Sequence, residues 1–131
     1  MQISKFTDYA FRSLIYLAKN KEELTTVEKL SIELNVSEHH MKKVIYKLAK
    51  TDYVISIKGR NGGLKLGLDP KDINLGKVLL ATEENLKLVE CMNNLEDCPL
   101  LNSGCKLKSI LSDSLQSFIY ELSKYTLDDI L

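Results

Sequence analysis

The chain has 131 residues, which suits one domain or a small domain with an added dimerisation element. Hydrophobic residues make up 44% and charged residues 27%, as is ordinary for a soluble globular protein. No membrane span is expected, because no run of about eighteen apolar residues occurs. We expect a cytoplasmic protein, since the start has no basic-then-apolar signal segment.

The charge is distributed unevenly, although the net charge is zero. Residues 1–65 contain 12 Lys and Arg against 7 Asp and Glu, whereas residues 66–131 contain 6 against 11. Within residues 39–65, seven basic residues accompany Asp52 alone. This patch predicts a polyanionic partner. A solvated helix face remains the alternative on composition alone.

The first half of the chain predicts three helices. A first helix is expected from Ser4 to Lys19, because apolar residues recur at three- and four-residue steps. Thr25 and Glu28 have the spacing of a capping box, which predicts the start of a short second helix. Ser37 is expected to cap a third helix that ends near Lys50.

The second and third helices form a helix-turn-helix in this interpretation. Met41, Ile45 and Leu48 are expected to anchor the third helix, whose other side is basic. Residues 53–57 and 64–68 then predict two strands around a glycine-rich tip that carries Arg60, with the glycines at positive φ. The predicted fold class is mainly α with a small β-hairpin, a winged helix-turn-helix covering residues 1–70.

Residues 71–131 are predicted to form a dimerisation region. Asp72 or Asn74 can cap a fourth helix, and a long helix is expected from Lys106 to Lys124. The long helix repeats apolar residues at nearly heptad spacing, which favours a homodimer built on it. Packing of this stripe on the chain's own first helix is the alternative. The apolar positions are Leu107, Leu111, Leu115, Phe118 and Leu122.

The three cysteines lie within one fifteen-residue segment, at Cys91, Cys98 and Cys105. An odd number cannot pair completely within one chain, so a disulfide framework is a poor explanation. Three thiolates around one point suit a soft metal centre, either zinc or iron–sulfur. The segment contains no histidine, so it leaves a tetrahedral centre without a fourth ligand.

The opening residues 3–10, the wing residues 59–64 and the cysteine segment resemble the Rrf2 family of bacterial winged-helix regulators. The resemblance covers essentially the whole chain and is greatest with the nitric-oxide-sensing repressor branch of that family. It implies a homodimeric repressor that binds palindromic operator DNA and carries an iron–sulfur cluster in each subunit. The sensed molecule would be nitric oxide. Lys108 stands where the cluster-biogenesis branch has a histidine, which argues against that branch.

The resemblance also implies a ligand set. Cys91, Cys98 and Cys105 would hold a 4Fe–4S cluster, although their spacing permits 2Fe–2S as well. Asp8 of the partner subunit would supply the fourth ligand. The alternative for Asp8 is a helix-stabilising acid that pairs with Arg12 four residues later.

Chemistry assigns the DNA contacts to the start of the third helix and to the wing tip. The histidines and Lys43 suit base edges or phosphates, Lys42 and Lys47 suit phosphates, and Arg60 suits the minor groove. Three tyrosines, at positions 9, 16 and 46, are expected to pack rather than to stack on bases. The predicted DNA-contacting residues are Ser37, His39, His40, Lys42, Lys43, Lys47 and Arg60.

Three other functions are alternatives to this one. A regulator of the same family could respond to redox or iron status instead of nitric oxide. A cluster-free regulator could bind zinc or sense oxidation at the thiols. An enzyme with a nucleophilic cysteine is disfavoured, because both histidines lie on the predicted DNA-contacting helix and no phosphate loop or carboxylate pair occurs.

Overall fold

A computed structural model describes residues 1–92, 98–100 and 103–131. Short 3₁₀ turns at Pro70–Asp72, Glu90–Met92 and Leu127–Ile130 accompany the main elements. In chain order, those elements are α1 (Lys5–Lys19), α2 (Val27–Glu33), α3 (Glu38–Ala49), β1 (Val54–Ile57), β2 (Gly63–Leu66), α4 (Leu75–Thr82) and α5 (Lys106–Leu122).

Side-chain caps set the starts of four helices. Ser4, Ser37 and Asn74 each accept a hydrogen bond from the backbone N–H three residues later, which confirms the caps predicted at Ser37 and Asn74. The capping box predicted for Thr25 and Glu28 is wrong. Thr26 caps α2 instead, by accepting from the Lys29 N–H at 3.1 Å.

Helices α1, α2 and α3 form the helix-turn-helix core. Asn35 takes a positive φ of 51° in the turn before α3, a conformation that Asn tolerates better than most residues. The three predicted anchors of α3 are buried, and they pack with the apolar face of α1. The core includes Leu14, Leu17, Leu30, Met41, Ile45 and Leu48.

The hairpin is shorter than predicted. β1 and β2 pair antiparallel from Val54 with Leu66 to Ile57 with Gly63, so the outer residues of the predicted strands lie in the adjoining turns. Thr25 pairs with Leu64 through two backbone hydrogen bonds of 3.0 and 2.7 Å. This bridge explains why Thr25 does not cap α2, because it ties β2, near the tip of the hairpin, to the loop before that helix.

Only one of the wing glycines has the predicted positive φ. Gly59 lies at φ +110°, whereas Gly62 and Gly63 do not adopt a positive value. At Gly62 a Cβ would collide with the carbonyl of Ile57. Gly62 therefore serves close backbone approach rather than a left-handed conformation.

The C-terminal segment closes against the start of α4. The Leu75 N–H donates to the Tyr125 carbonyl at 3.0 Å, and the Leu127 N–H donates to the Ile73 carbonyl at 2.8 Å. A Cβ on Gly76 would collide with the Ser123 hydroxyl, so α4 and the end of α5 approach closely. These contacts fix the direction in which α5 leaves the rest of the chain.

The predicted fold class, mainly α with a small hairpin, is confirmed. α5 ends at Leu122, two residues before the predicted end. No described helix combines the length and the apolar character that crossing a membrane requires.

Candidate functional site

The outer face of α3 presents the predicted DNA-contacting residues to solvent. Val44 and the other apolar residues on its inner face are buried, so the helix is fixed with its polar face outward. Lys42 is partly held by Glu38, with 3.3 Å between the ammonium and the carboxylate. The exposed residues, which we call the cationic face, are Ser37, His39, His40, Lys42, Lys43 and Lys47, and Arg60 on the wing is exposed as well.

Tyr46 lies beside the cationic face and is exposed, so the prediction that it packs is wrong. Its side chain is 66% exposed, and the Lys50 ammonium lies 4.2 Å from the centre of its ring. Tyr9 and Tyr16 do pack against the core as predicted. The sequence could have indicated the difference, because Tyr46 follows His39 by seven residues and therefore shares its side of α3.

Asp8 is held by Arg12 near the start of α1. The guanidinium donates to one carboxylate oxygen at 3.1 Å through Nε and approaches the other at 2.6 Å. Arg12 also lies 5.8 Å from the centre of the Tyr9 ring. The Tyr9 ring lies 6.4 Å from that of His40, within the range of aromatic contact. A continuous series of contacts thus joins Asp8 to the first turn of α3.

The three cysteines are free thiols, each partly exposed. Cys91 lies in the 3₁₀ turn Glu90–Met92, Cys98 lies in irregular chain, and Cys105 occupies the N-cap position of α5. Among the described residues, the Cys105 side chain makes no capping hydrogen bond. The Cys105 thiol is therefore not engaged in capping α5.

The thiols have the chemistry of iron–sulfur or zinc ligands, and the donor set therefore fits the predicted group. Within residues 1–92, 98–100 and 103–131, no three His, Cys, Asp or Glu side chains are gathered in a metal-holding cluster. Residues 93–97 and 101–102 of the predicted cluster-binding segment lie outside the described residues.

A contact that the sequence did not reveal joins the start of α1 to the end of α4. The Ser4 backbone N–H donates to the Glu83 carboxylate at 2.9 Å, across 79 positions of the chain. Burial raises the pKa of Glu83, but hydrogen bonds from the Ser4 N–H and from the hydroxyls of Ser4 and Thr7 outweigh it and lower that pKa.

α5 leaves part of its apolar stripe uncovered. Ile119 is its buried residue, whereas Leu107 is 61% and Phe118 46% exposed. Beside the stripe lies a groove of about 550 Å³ between the N-terminus, residues 85–88 and α5. Its apolar lining includes Ile3, Leu79, Leu86, Leu111, Leu115 and Phe118.

A family model described as Rrf2, iron-dependent transcriptional regulator, matches residues 3–131. The HTH-type transcriptional regulator NsrR of Halalkalibacterium halodurans is 42% identical over 100% of this chain and 90% of its own length. The regulator of the same name from Bacillus subtilis is 38% identical, with the same coverage.

Solved structures have the same fold. CymR of Bacillus subtilis, described as the global cysteine regulator, superposes with a TM-score of 0.73 at 27% identity, covering 99% of this chain and 95% of that one. The IscR structure from T. potens gives a TM-score of 0.78 at 23% identity, with 99% and 85% covered. Together with the winged helix and its cationic face, these matches establish that the chain belongs to the Rrf2 family and is a DNA-binding transcriptional regulator rather than an enzyme.

Proposed function

We propose that the chain is a homodimeric repressor that senses nitric oxide through an iron–sulfur cluster, whose loss releases palindromic operator DNA. The observation that carries the proposal is the set of three free, partly exposed thiols on one segment of a winged-helix chain. Two relatives that match the whole chain bear the name NsrR, and the family description is iron-dependent, which supports a regulatory iron site.

The ligands would be Cys91, Cys98 and Cys105, with Asp8 of the partner subunit as the fourth. Thiolates suit the iron of a 4Fe–4S cluster, and 2Fe–2S is the other type that the cysteine spacing allows. When bound, the cluster supplies an iron whose carboxylate ligand is harder and more exchangeable than a thiolate, so nitric oxide can compete there.

Arg12 gives Asp8 a second partner within its own chain. Both carboxylate oxygens contact the Arg12 guanidinium in the described conformation. An oxygen that ligates iron must give up at least part of this contact, so metal and guanidinium compete for Asp8. The pairing with Arg12 would accordingly represent the released state of the switch.

The competition for Asp8 can reach the DNA-contacting helix through Tyr9. Arg12 lies against the Tyr9 ring, and that ring contacts His40 at the start of α3. A shift of Arg12 towards or away from Asp8 would therefore move the Tyr9 ring and alter its contact with His40. Allosteric couplings of about 1–3 kcal/mol, roughly 5–150-fold in affinity, are typical and would be enough to relieve repression.

Residues 1–70 would form the DNA-binding region, with the cationic face of α3 in the major groove and Arg60 in the adjacent minor groove. The Ser37 hydroxyl oxygen accepts the His40 N–H as the cap of α3. A contact with DNA would therefore have to be made by the same hydroxyl while it keeps this hydrogen bond. In a two-fold dimer the two α3 helices contact half-sites about 34–36 Å apart or a multiple of that distance. Residues 71–131 would supply the cluster-binding segment at 91–105 and the dimer contact.

Anaerobic purification tests the cluster. We expect a brown protein that contains iron and inorganic sulfide, and we expect Cys91→Ser, Cys98→Ser and Cys105→Ser each to lose most of the visible absorbance. Ser103→Ala is the matched control, because it alters an exposed residue of the same segment without removing a thiol. A colourless, iron-poor wild-type protein would support the zinc or thiol sensor instead.

A second candidate is a regulator of the same type that responds to iron status. The iron-dependent description of the family model favours it. The two functions differ in what releases DNA. An iron chelator that releases the operator, under conditions where nitric oxide leaves binding unchanged, would select the iron-status regulator.

A further inference from the structure

We propose that Glu83 is a positioning residue that fastens the start of α1 to the chain entering the cysteine segment, and so couples the two clusters of the dimer. The inference rests on the proposed function for its consequence. The contact itself belongs to the described chain and can be measured without a cluster.

The geometry places one carboxylate at the junction of two elements. Glu83 directly follows α4 and precedes the segment that carries the thiols. It accepts the Ser4 N–H at 2.9 Å, and Ser4 is itself the N-cap of α1. Asp8 lies one turn further along α1, and its N–H donates to the Ser4 carbonyl at 3.0 Å. The hydrogen bonds therefore link Asp8 to Glu83 through Ser4.

Packing beside this contact is incomplete. The groove of about 550 Å³ adjoins Glu83, and Ile3 on its rim remains 41% exposed. The first residues of the chain are thus held at this corner by a charged hydrogen bond next to an open groove. A hydrogen bond to a charged acceptor is stronger than a neutral one, which suits it to this purpose.

In the proposed dimer, each chain contributes to both clusters. Its thiols would bind one cluster, while its Asp8 would reach the cluster held by the other subunit. Glu83 joins these two contributions within one chain. Displacement of the cysteine segment when one cluster is lost would pull on the start of α1 and loosen Asp8 from the other cluster. The two clusters should then respond to nitric oxide together rather than independently.

The contact is tested first on cluster-free protein, by amide hydrogen exchange at Ser4. Glu83→Ala should speed exchange of the Ser4 N–H by about tenfold, since a hydrogen bond to a charged group is lost. Glu83→Gln, which keeps a carbonyl acceptor, should restore part of the protection. Glu84→Ala, which removes an exposed neighbouring charge, should match the wild type. Equal exchange rates in Glu83→Ala and Glu84→Ala would overturn the proposed contact.

The coupling is tested on holo-dimer titrated anaerobically with nitric oxide, while cluster absorbance is followed. Wild type and Glu84→Ala should lose their two clusters in one steep transition, whereas Glu83→Ala should give a shallower curve typical of independent sites. Identical steepness in all three proteins would refute the coupling. If the wild-type dimer carried no cluster, the proposed function would fail, and the exchange measurement would still decide whether Glu83 holds the start of α1.

Discussion

In the proposed switch, the Asp8 carboxylate has two competing partners, which are the Arg12 guanidinium and the iron of the other subunit's cluster. Its ion pair with Arg12 lies at the surface, with the two side chains 43% and 50% exposed. Exposed ion pairs contribute about 0–1 kcal/mol to folding, so this pair adds little to stability. A large effect of Arg12 on signalling, combined with a small effect on stability, would therefore indicate a regulatory role.

Arg12→Ala should leave the free energy of unfolding within about 1 kcal/mol of the wild type. The released Asp8 would lose its alternative partner, and Tyr9 would lose the guanidinium beside it. We expect holo-protein to bind operator DNA normally, while the fall in affinity on nitric oxide treatment shrinks about fivefold or more. Fluorescence anisotropy with labelled operator measures both affinities, and urea denaturation measures stability.

Lys19→Ala is the control for that experiment, because it removes an exposed cation from the last turn of the same helix. Asp8→Ala completes the set: it should retain an absorbance that nitric oxide bleaches while loosening the link to DNA. If Arg12→Ala responded to nitric oxide as the wild type does, the competition for Asp8 would be refuted.

Among the elements, α3 has one apolar face that packs in the core and one polar face that is exposed to solvent. Because its apolar residues are buried on the inner face, its lysines lie on the outer face. Lys47 lies ten residues after the cap residue Ser37, whereas His39 lies only two residues after it. Since only the first turns of a recognition helix enter the major groove, we propose that Lys47 contacts a phosphate and that His39 enters the groove.

Lys47→Ala should weaken DNA binding almost equally for specific and unrelated sequences, because phosphate contacts carry no sequence information. The slope of log affinity against log salt should fall by about one. Lys77→Ala, which removes an exposed cation on α4, should leave the slope unchanged. An unchanged slope for Lys47→Ala would exclude the phosphate contact.

Local patterns predicted these elements well, because periodicity and caps act within a few residues. Ser37, Asn74 and the buried face of α3 follow from such patterns. The capping prediction for Thr25 is wrong because Thr25 pairs with Leu64, and such a long-range contact overrides a capping preference. The hydrogen bond between Ser4 and Glu83 was likewise invisible, since it depends on how α1 and α4 pack together.

The whole molecule presents an apolar stripe on α5 that a single chain leaves partly uncovered. The sequence offered two partners for it, a second copy or α1 of the same chain. Leu107 and Phe118 remain exposed on the described chain, so its own packing does not cover them. Burial of such residues against a second copy would contribute about 25 cal/mol per Å² removed from water, before ordering costs. This supports the proposed dimer.

Phe118→Glu should therefore convert the dimer to monomer and weaken operator binding, because one α3 helix would then contact one half-site. Sedimentation velocity measures the oligomeric state, and anisotropy measures the affinity. Gln116→Glu adds the same charge on the opposite side of α5 and should remain a dimer. A dimer of undiminished stability for Phe118→Glu would mean that the subunits associate elsewhere.

The most direct measurement is a nitric oxide titration of anaerobically purified holo-dimer on its operator, with cluster absorbance and DNA affinity recorded together. The account predicts that affinity falls as the absorbance bleaches, and that Asp8→Ala bleaches while its DNA affinity changes much less. Full bleaching of the wild type with unchanged operator affinity would contradict the central claim that the cluster controls DNA binding.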